Sequence, residues 1–278
     1  MSERDAALLR RAPLGVFDSG LGGLTVVRAL REALPAEDIV YLGDTARVPY
    51  GTKGPDTVTR YALGCAKHLV RRGVKAIVIA CNTASAVAPD RLRVELDLPV
   101  LGVIDPGARA AVEATRSFKV AVLATSGTIA SGAYPRAVAA LSTRVETLGQ
   151  AAPLLVPLAE EGWTEGEVPR LAARRYLEPL AHRGVDVVVL GCTHYPLLRD
   201  VIEGEARVLL GPDVRVVDSA RATAEDVSSF LRDRGLARTP EGAPGQTHLL
   251  VSDLPRTFDE VASRFLGAPA GPAELVDL

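Results

Sequence analysis

The sequence predicts an α/β protein made of two similar doubly wound units related by pseudo-symmetry, with mostly parallel sheets. Three observations predict it. Apolar, β-branched runs alternate with stretches of helical spacing. The runs are apolar throughout, as strands covered on both faces must be. And the order of the runs repeats: "GVKAIVIACNT" (73–83) returns as "GVDVVVLGCTH" (184–194), so that Cys81 and Cys192 stand 111 residues apart at the ends of like strands.

Each element follows in order. "LGVFDSG" (14–20) reads as a buried strand ending in a turn, and "LTVVRALREAL" (24–34) as a helix. "DIVYLGD" (38–44) is a second strand; Val58 to Arg72 is a helix stopped by Gly73. "VKAIVIA" (74–80) and "PVLGVID" (99–105) are the third and fourth strands. The series then restarts: "FKVAVLATSGT" (118–128), "RVETLGQ" (144–150), "GVDVVVLGC" (184–192) and "DVRVVDS" (213–219) match those four strands in the same order. Four ordered matches mark a duplication. After the Pro/Gly-rich stretch 238–246 come a strand, "THLLVSD", and a helix, "PRTFDEVASRFLG", with Pro255 in its first turn and Gly267 past its end. A tail with one strand is thin for a domain of its own and is expected to return to the first unit. The expected division is 1–105 plus 218–278 for the first domain and 106–217 for the second, with the active site in the cleft between them.

Composition narrows the function. The 278 residues are 47% hydrophobic and 24% charged, with a net charge of −2, so no nucleic-acid or anionic-membrane partner is expected. The longest apolar runs are strand-sized, far short of the ~20 residues a membrane helix needs. The N-terminus shows no signal-peptide core, and three cysteines make no disulfide framework, so a cytoplasmic protein is expected.

Ligands of open parallel sheets bind beyond the carboxyl ends of the strands, where Cys81, Cys192 and the turn Asp18–Gly20 all fall. Two units facing each other would bring the cysteines to opposite sides of one cleft. A base on one face of a tetrahedral carbon and an acid on the other invert that carbon, and the roles exchange in the reverse direction. A thiol suits both roles because its ordinary pKa, ~8.5, lies near working pH. Asp18 can serve as the proton partner of Cys81, and His194 of Cys192. Cys65 shares a helix face with Tyr61 and Leu69 and reads as core, as most cysteines in apolar runs do. His68, His182 and His248 read as surface or cap residues. Two cysteines and a histidine are a known zinc set, but C-x-x-C and H-x-x-x-H spacings are absent and no metal is expected. "DSGLGGL" (18–24) fails the dinucleotide fingerprint at Thr25. Ser19, Asn82, Thr83 and Thr193 follow strands where helix-start N–H groups can hold a carboxylate, although N-capping alone would also explain them.

"GVFDSGLGGLTV", "YLGDTARVPYGTK", "ACNTASA", "TSGTIASGAY", "VPLAEEG" and "GCTHYPLL" lie in an order that resembles the bacterial glutamate racemases. The resemblance spans roughly Pro13 to Gly267. It implies an isomerase that interconverts L- and D-glutamate without pyridoxal phosphate or any other cofactor, supplying D-glutamate for peptidoglycan. It implies Cys81 as the base toward D-glutamate and Cys192 toward L-glutamate, with Asp18 assisting the first, and His194 and Glu160 the second. Substrate contacts carry over to Asp18, Ser19, Pro49, Tyr50, Asn82, Thr83, Thr193 and His194. A homodimer is expected, and the first dozen residues read as an extension that need not be ordered. An aspartate racemase of the same family is the alternative, since pockets discriminate one methylene by only ~1–3 kcal/mol; outside the enzyme class, the alternative is a non-catalytic two-lobed amino-acid binder.

Overall fold

A computed structural model describes residues 3–239 and 243–278. Among the described residues, ten strands form two sheets, parallel at every pairing. The strands are β1 (Leu14–Asp18), β2 (Ile39–Gly43), β3 (Ala76–Ile79), β4 (Val100–Gly102), β5 (Lys119–Ala124), β6 (Glu146–Ala151), β7 (Val187–Gly191), β8 (Arg215–Asp218), β9 (Thr247–Val251) and β10 (Ala273–Leu275). The first sheet runs β10-β9-β2-β1-β3-β4, the second β6-β5-β7-β8. Within each, the second strand of the unit lies outside the first, and the third and fourth follow on the other side. The duplicated sequence has therefore built one topology twice.

Side-chain alternation explains the central strands. In β3 and the two residues beyond it, Ala76, Val78 and Ala80 join one core, while Ile77, Ile79 and Cys81 join the core on the other face. In β7, Val187 and Val189 face one core; Val188, Leu190 and then Cys192 face the other. Helices cover both faces, so neither row meets water. β6, at a sheet edge, is half-exposed, and it is also the least apolar of the duplicated runs.

The tail does return: β9 pairs with β2, and β10 with β9. Helix Ser219–Asp233 packs on helices Leu24–Ala33 and Ile104–Ala114, with an Arg109–Asp226 ion pair across the second contact. No helix among the described residues is long and apolar enough to cross a membrane.

Several elements depart from the sequence expectation. Within the N-terminal extension, helix Glu3–Arg11 docks on the fold where the buried Lys75 Nζ donates to Arg10 O (2.9 Å), Leu236 O (2.9 Å) and Glu37 Oε2 (2.5 Å). The fourth strand is only Val100–Gly102, because Ile104 already opens a helix. The third helix starts at Pro55, three residues before Val58, using proline at its first position. Pro255 is not in the first turn of the last helix, which is Phe258–Leu266; Phe258 N instead closes a turn onto Pro255 O. Gly267 does end that helix, with φ +71°. Residues 240–242 of the Pro/Gly-rich stretch lie outside the described residues.

Candidate active site

One wall of the site is set by β1 and β3. Asp18 ends β1, fully buried, and its Oδ2 accepts from Gly20 N (3.2 Å) and Gly23 N (2.9 Å). Gly23 is required there, since a Cβ would fall 2.5 Å from Asp18 Cβ. Tyr41 Oη pins the turn by donating to Gly20 O at 2.6 Å. Cys81 is the N-cap of the short helix Asn82–Ser85: its sulfur accepts from Ala84 N at 3.4 Å, and its thiol donates to Ser19 Oγ at 3.6 Å. Capping thus falls to the cysteine and not to Asn82 or Thr83. Burial first, and the Asp18 carboxylate second, push the Cys81 thiol up to about 12. Burial likewise raises Asp18, against the nearby His194 charge and its backbone donors.

The other wall is set by β7. Cys192 Sγ lies 3.8 Å from His194 Nδ1, and His194 Nε2 lies 3.0 Å from Glu160 Oε1. Thr193 Oγ1 is 3.3 Å from the same Nδ1. Burial works against an imidazolium here, but Cys192 and Glu160 outweigh it and carry His194 up to about 10. The His194 hydrogen bond in turn holds Glu160 below the ordinary carboxylate range. The two thiols therefore have opposite neighbours: a carboxylate beside Cys81, a cationic ring beside Cys192.

The walls touch. Thr25 Oγ1 donates to Thr193 O at 3.0 Å. Gly22 faces His194 and Thr193 so closely that a Cβ would stand 2.5 Å from His194 Cε1, His194 Nδ1 and Thr193 Oγ1. Thr83 Oγ1 meets Thr125 Oγ1 (2.9 Å) and Thr128 Oγ1 (3.2 Å), and Tyr134 Oη donates to Asn82 Oδ1 (2.8 Å). Two buried polar atoms here, Asp18 Oδ1 and Asn82 Nδ2, have no hydrogen-bond partner among the described residues. Unpaired polar atoms in an interior are costly, and such a pair marks a place for a polar ligand.

The fold gathers most of the sequence candidates. Asp18, Cys81, Asn82, Thr83, Cys192, Thr193 and His194 are buried in the two walls; Ser19 and Glu160 are partly open at their rim. Pro49 is exposed. Tyr50 is buried, but its hydroxyl is committed to Asp44, which Arg47 Nε (2.9 and 2.7 Å) and Ser252 Oγ (2.9 Å) also bind. Its neighbour Gly51 lies against Thr125. Cys65 is core, as expected, with Tyr50 Oη 4.0 Å away. Sequence reasoning missed Thr125, Thr128, Tyr134, Asp44 and Phe265, whose ring packs edge-to-face on His194 with centroids 5.0 Å apart. The duplication held the signal for one of them. "TSG" at 125–127 is the counterpart of "DSG" at 18–20, so Thr125 occupies in the second unit the place of Asp18 in the first.

Fold and candidate site together define a class: a twofold-duplicated α/β protein with one buried thiol after the equivalent strand of each half. A family profile described as Asp/Glu/Hydantoin racemase matches residues 14–227. The glutamate racemase of Geobacter metallireducens is 53% identical over 265 residues, 95% of this chain and 96% of that protein. The crystal structure of glutamate racemase from Francisella tularensis, in complex with D-glutamate, superposes with TM-score 0.88 at 36% identity, covering 96% of this chain and 98% of that one. That from Thermus thermophilus, in complex with β-chloro-D-alanine, gives TM-score 0.86 at 46% identity, covering 97% and 98%. The chain belongs to the Asp/Glu/Hydantoin racemase family of isomerases and sits among its glutamate racemases.

Proposed function

We propose that this protein interconverts L- and D-glutamate by a two-base route through Cys81 and Cys192. The observation that carries the mechanism is the pair of buried thiols after equivalent strands, one feeling the charge of Asp18 and the other 3.8 Å from His194 Nδ1. Cys192 as thiolate, with the His194 cation beside it, removes the α-proton of L-glutamate; Cys81, a protonated thiol held so by burial and Asp18, delivers a proton to the opposite face. The product complex then has Cys81 as thiolate and Cys192 as thiol, which is the starting state for D-glutamate. One proton is shared by the pair in either direction, and Asp18, or His194 with Glu160, takes up the change at each sulfur.

The substrate-binding reading is of the same kind. Asn82 and Thr83, with Thr193 across the cleft, hold one carboxylate; the unpaired Asn82 Nδ2 supports that. Asp18 Oδ1, also unpaired, takes the ammonium. Ser19 and the Pro49–Tyr50 segment serve the far carboxylate, and His194 closes the site. The reading takes 1–105 with 218–278 as one domain and 106–217 as the other, with catalysis in the cleft between. It places the enzyme in the cytoplasm as a homodimer that needs no cofactor and supplies D-glutamate to peptidoglycan.

The test is circular dichroism of purified protein, dialysed against chelator, with L-glutamate, D-glutamate and then each enantiomer of aspartate. Loss of ellipticity from both glutamates is expected. Racemisation of aspartate alone would make it the family's other kind of enzyme; binding without turnover would make it a binder; and turnover lost on dialysis and restored by zinc would mean a metal site.

A further inference from the structure

The helix Phe258–Leu266 belongs to the tail that completes the first sheet, yet its last turn reaches across to the wall that carries Cys192. Phe265, with no exposed surface, sets its ring against His194 at 76° to the imidazole plane. Arg264 donates to the backbone carbonyl of Glu160 and is itself held by Glu260 Oε1 at 2.8 Å. Gly162, two residues past Glu160, has φ +76° and passes so near that a Cβ would stand 2.7 Å from the Arg264 guanidinium carbon. Adjacent residues of one helix thus grip both members of the His194–Glu160 pair, one by its ring and one by its main chain.

The grip has a chemical consequence. His194 must keep Nδ1 toward Cys192 and Nε2 toward Glu160, and a ring flip would break both contacts. An aromatic neighbour packed at this angle fixes the plane of the imidazole ring. Fixing the Glu160 carbonyl keeps its carboxylate, otherwise half-exposed, within reach of Nε2. Asp18 and Cys81 lie on the opposite wall and make their hydrogen bonds to Gly20, Gly23, Ser19 and Ala84, not to Arg264 or Phe265.

We propose that Phe265 and Arg264 are positioning residues for the Cys192 half of the reaction: they orient the His194–Glu160 pair through which Cys192 exchanges its proton, and they leave the Cys81 half untouched. This rests on the two-base reading above. Racemisation rates cannot separate the halves, because kcat/KM for the two enantiomers is tied by an equilibrium constant that no variant can alter. An irreversible half-reaction can. On a 3-chloroglutamate, the cysteine facing the α-hydrogen removes that proton. The C–H electron pair forms the Cα–Cβ double bond, and chloride leaves with the C–Cl pair. The resulting enamine tautomerises and takes up water to give 2-oxoglutarate and ammonium. The L-analogue uses Cys192 and the D-analogue Cys81.

The experiment measures 2-oxoglutarate release from both analogues by Phe265→Leu, Arg264→Ala and Arg264→Lys, beside wild type and Cys192→Ser. Phe265→Leu is expected to lower kcat on the L-analogue about tenfold, since small misplacement of a catalytic group has effects of this order. KM, and turnover of the D-analogue, should stay within about twofold. Arg264→Ala should show the same bias and Arg264→Lys should restore it, because lysine can still donate to the Glu160 carbonyl; this pair keeps the test intact if Phe265→Leu does not fold. Equal loss on both analogues, a loss confined to KM, or no loss would overturn the proposal. Wild type that fails to racemise glutamate, or Cys192→Ser that still consumes the L-analogue, would instead overturn the two-base reading.

Discussion

Replacing Gly22 by alanine adds one methyl group at the closest approach of the two walls. The new carbon would stand 2.5 Å from His194 Cε1, His194 Nδ1 and Thr193 Oγ1. Ordinary contacts between such atoms lie near 3.5–4.0 Å, so the walls must part by about 1 Å. The ring cannot turn aside, since Cys192, Glu160 and Phe265 hold it on three sides. Nor is the backbone at fault, because Gly22 has no left-handed φ that alanine would resist. Overpacking of this kind costs about 1–3 kcal/mol of stability. The larger effect falls on chemistry: about 1 Å of misplacement is worth on the order of a hundredfold in rate. Gly22→Ala should therefore lose about two orders of magnitude in glutamate racemisation, followed by circular dichroism, while its melting temperature falls by only a few degrees. Gly64→Ala is the control. It lies inside helix Pro55–Arg71 with nothing within 4 Å of the added carbon, and should gain up to about 1 kcal/mol with no change in turnover. Gly22→Ala racemising within twofold of wild type would refute the claim that this contact sets the spacing of the walls.

Three further outcomes are expected. Cys81→Ala and Cys192→Ala should each cut racemisation at least about 10²-fold and still bind glutamate by calorimetry, whereas Cys65→Ala should leave turnover nearly intact. His194 is raised from 6.5 to about 10 in the folded state, so its contribution to stability is complete below pH 6.5 and is lost as pH rises toward 10; urea midpoints between pH 6 and 10 should fall for wild type, and His194→Asn should flatten that slope. Lys75→Met strands the buried Glu37 carboxylate and should cost about 3–5 kcal/mol in urea unfolding, most of it regained when Glu37→Gln is added.

How far the sequence could be read depended on how local each cause was. β1, β3, β5 and β7 were legible because a buried parallel strand writes itself as an unbroken apolar run, and because each run came twice. β10 was not, since Ala273–Leu275 is three residues on an exposed edge whose only signal is its neighbour β9. The N-terminal helix read as an appendage because what docks it, the Lys75 ammonium, lies 65 residues along the chain. Pro255 looked like a helix start because proline favours the first turn, but a tight turn onto its carbonyl came first. In the site, Cys81, Cys192, Asp18 and His194 stood out because reactive side chains followed strand ends. Thr125, Tyr134 and Phe265 are ordinary residues that matter only through a partner in the other half of the molecule.

The tail that returns to the first sheet also decides how many times the two halves are joined. The chain passes from the first sheet to the second between β4 and β5, and back between β8 and β9. The two crossings run against each other, since helix Ser219–Asp233 of the return packs on helix Ile104–Ala114 of the outward passage. Cys81 and Cys192, at 5% and 6% exposure, lie on the two sides of that doubly joined arrangement, shut away from solvent. The repeated part of the sequence thus supplies two like halves, and the return to the first sheet ties them a second time.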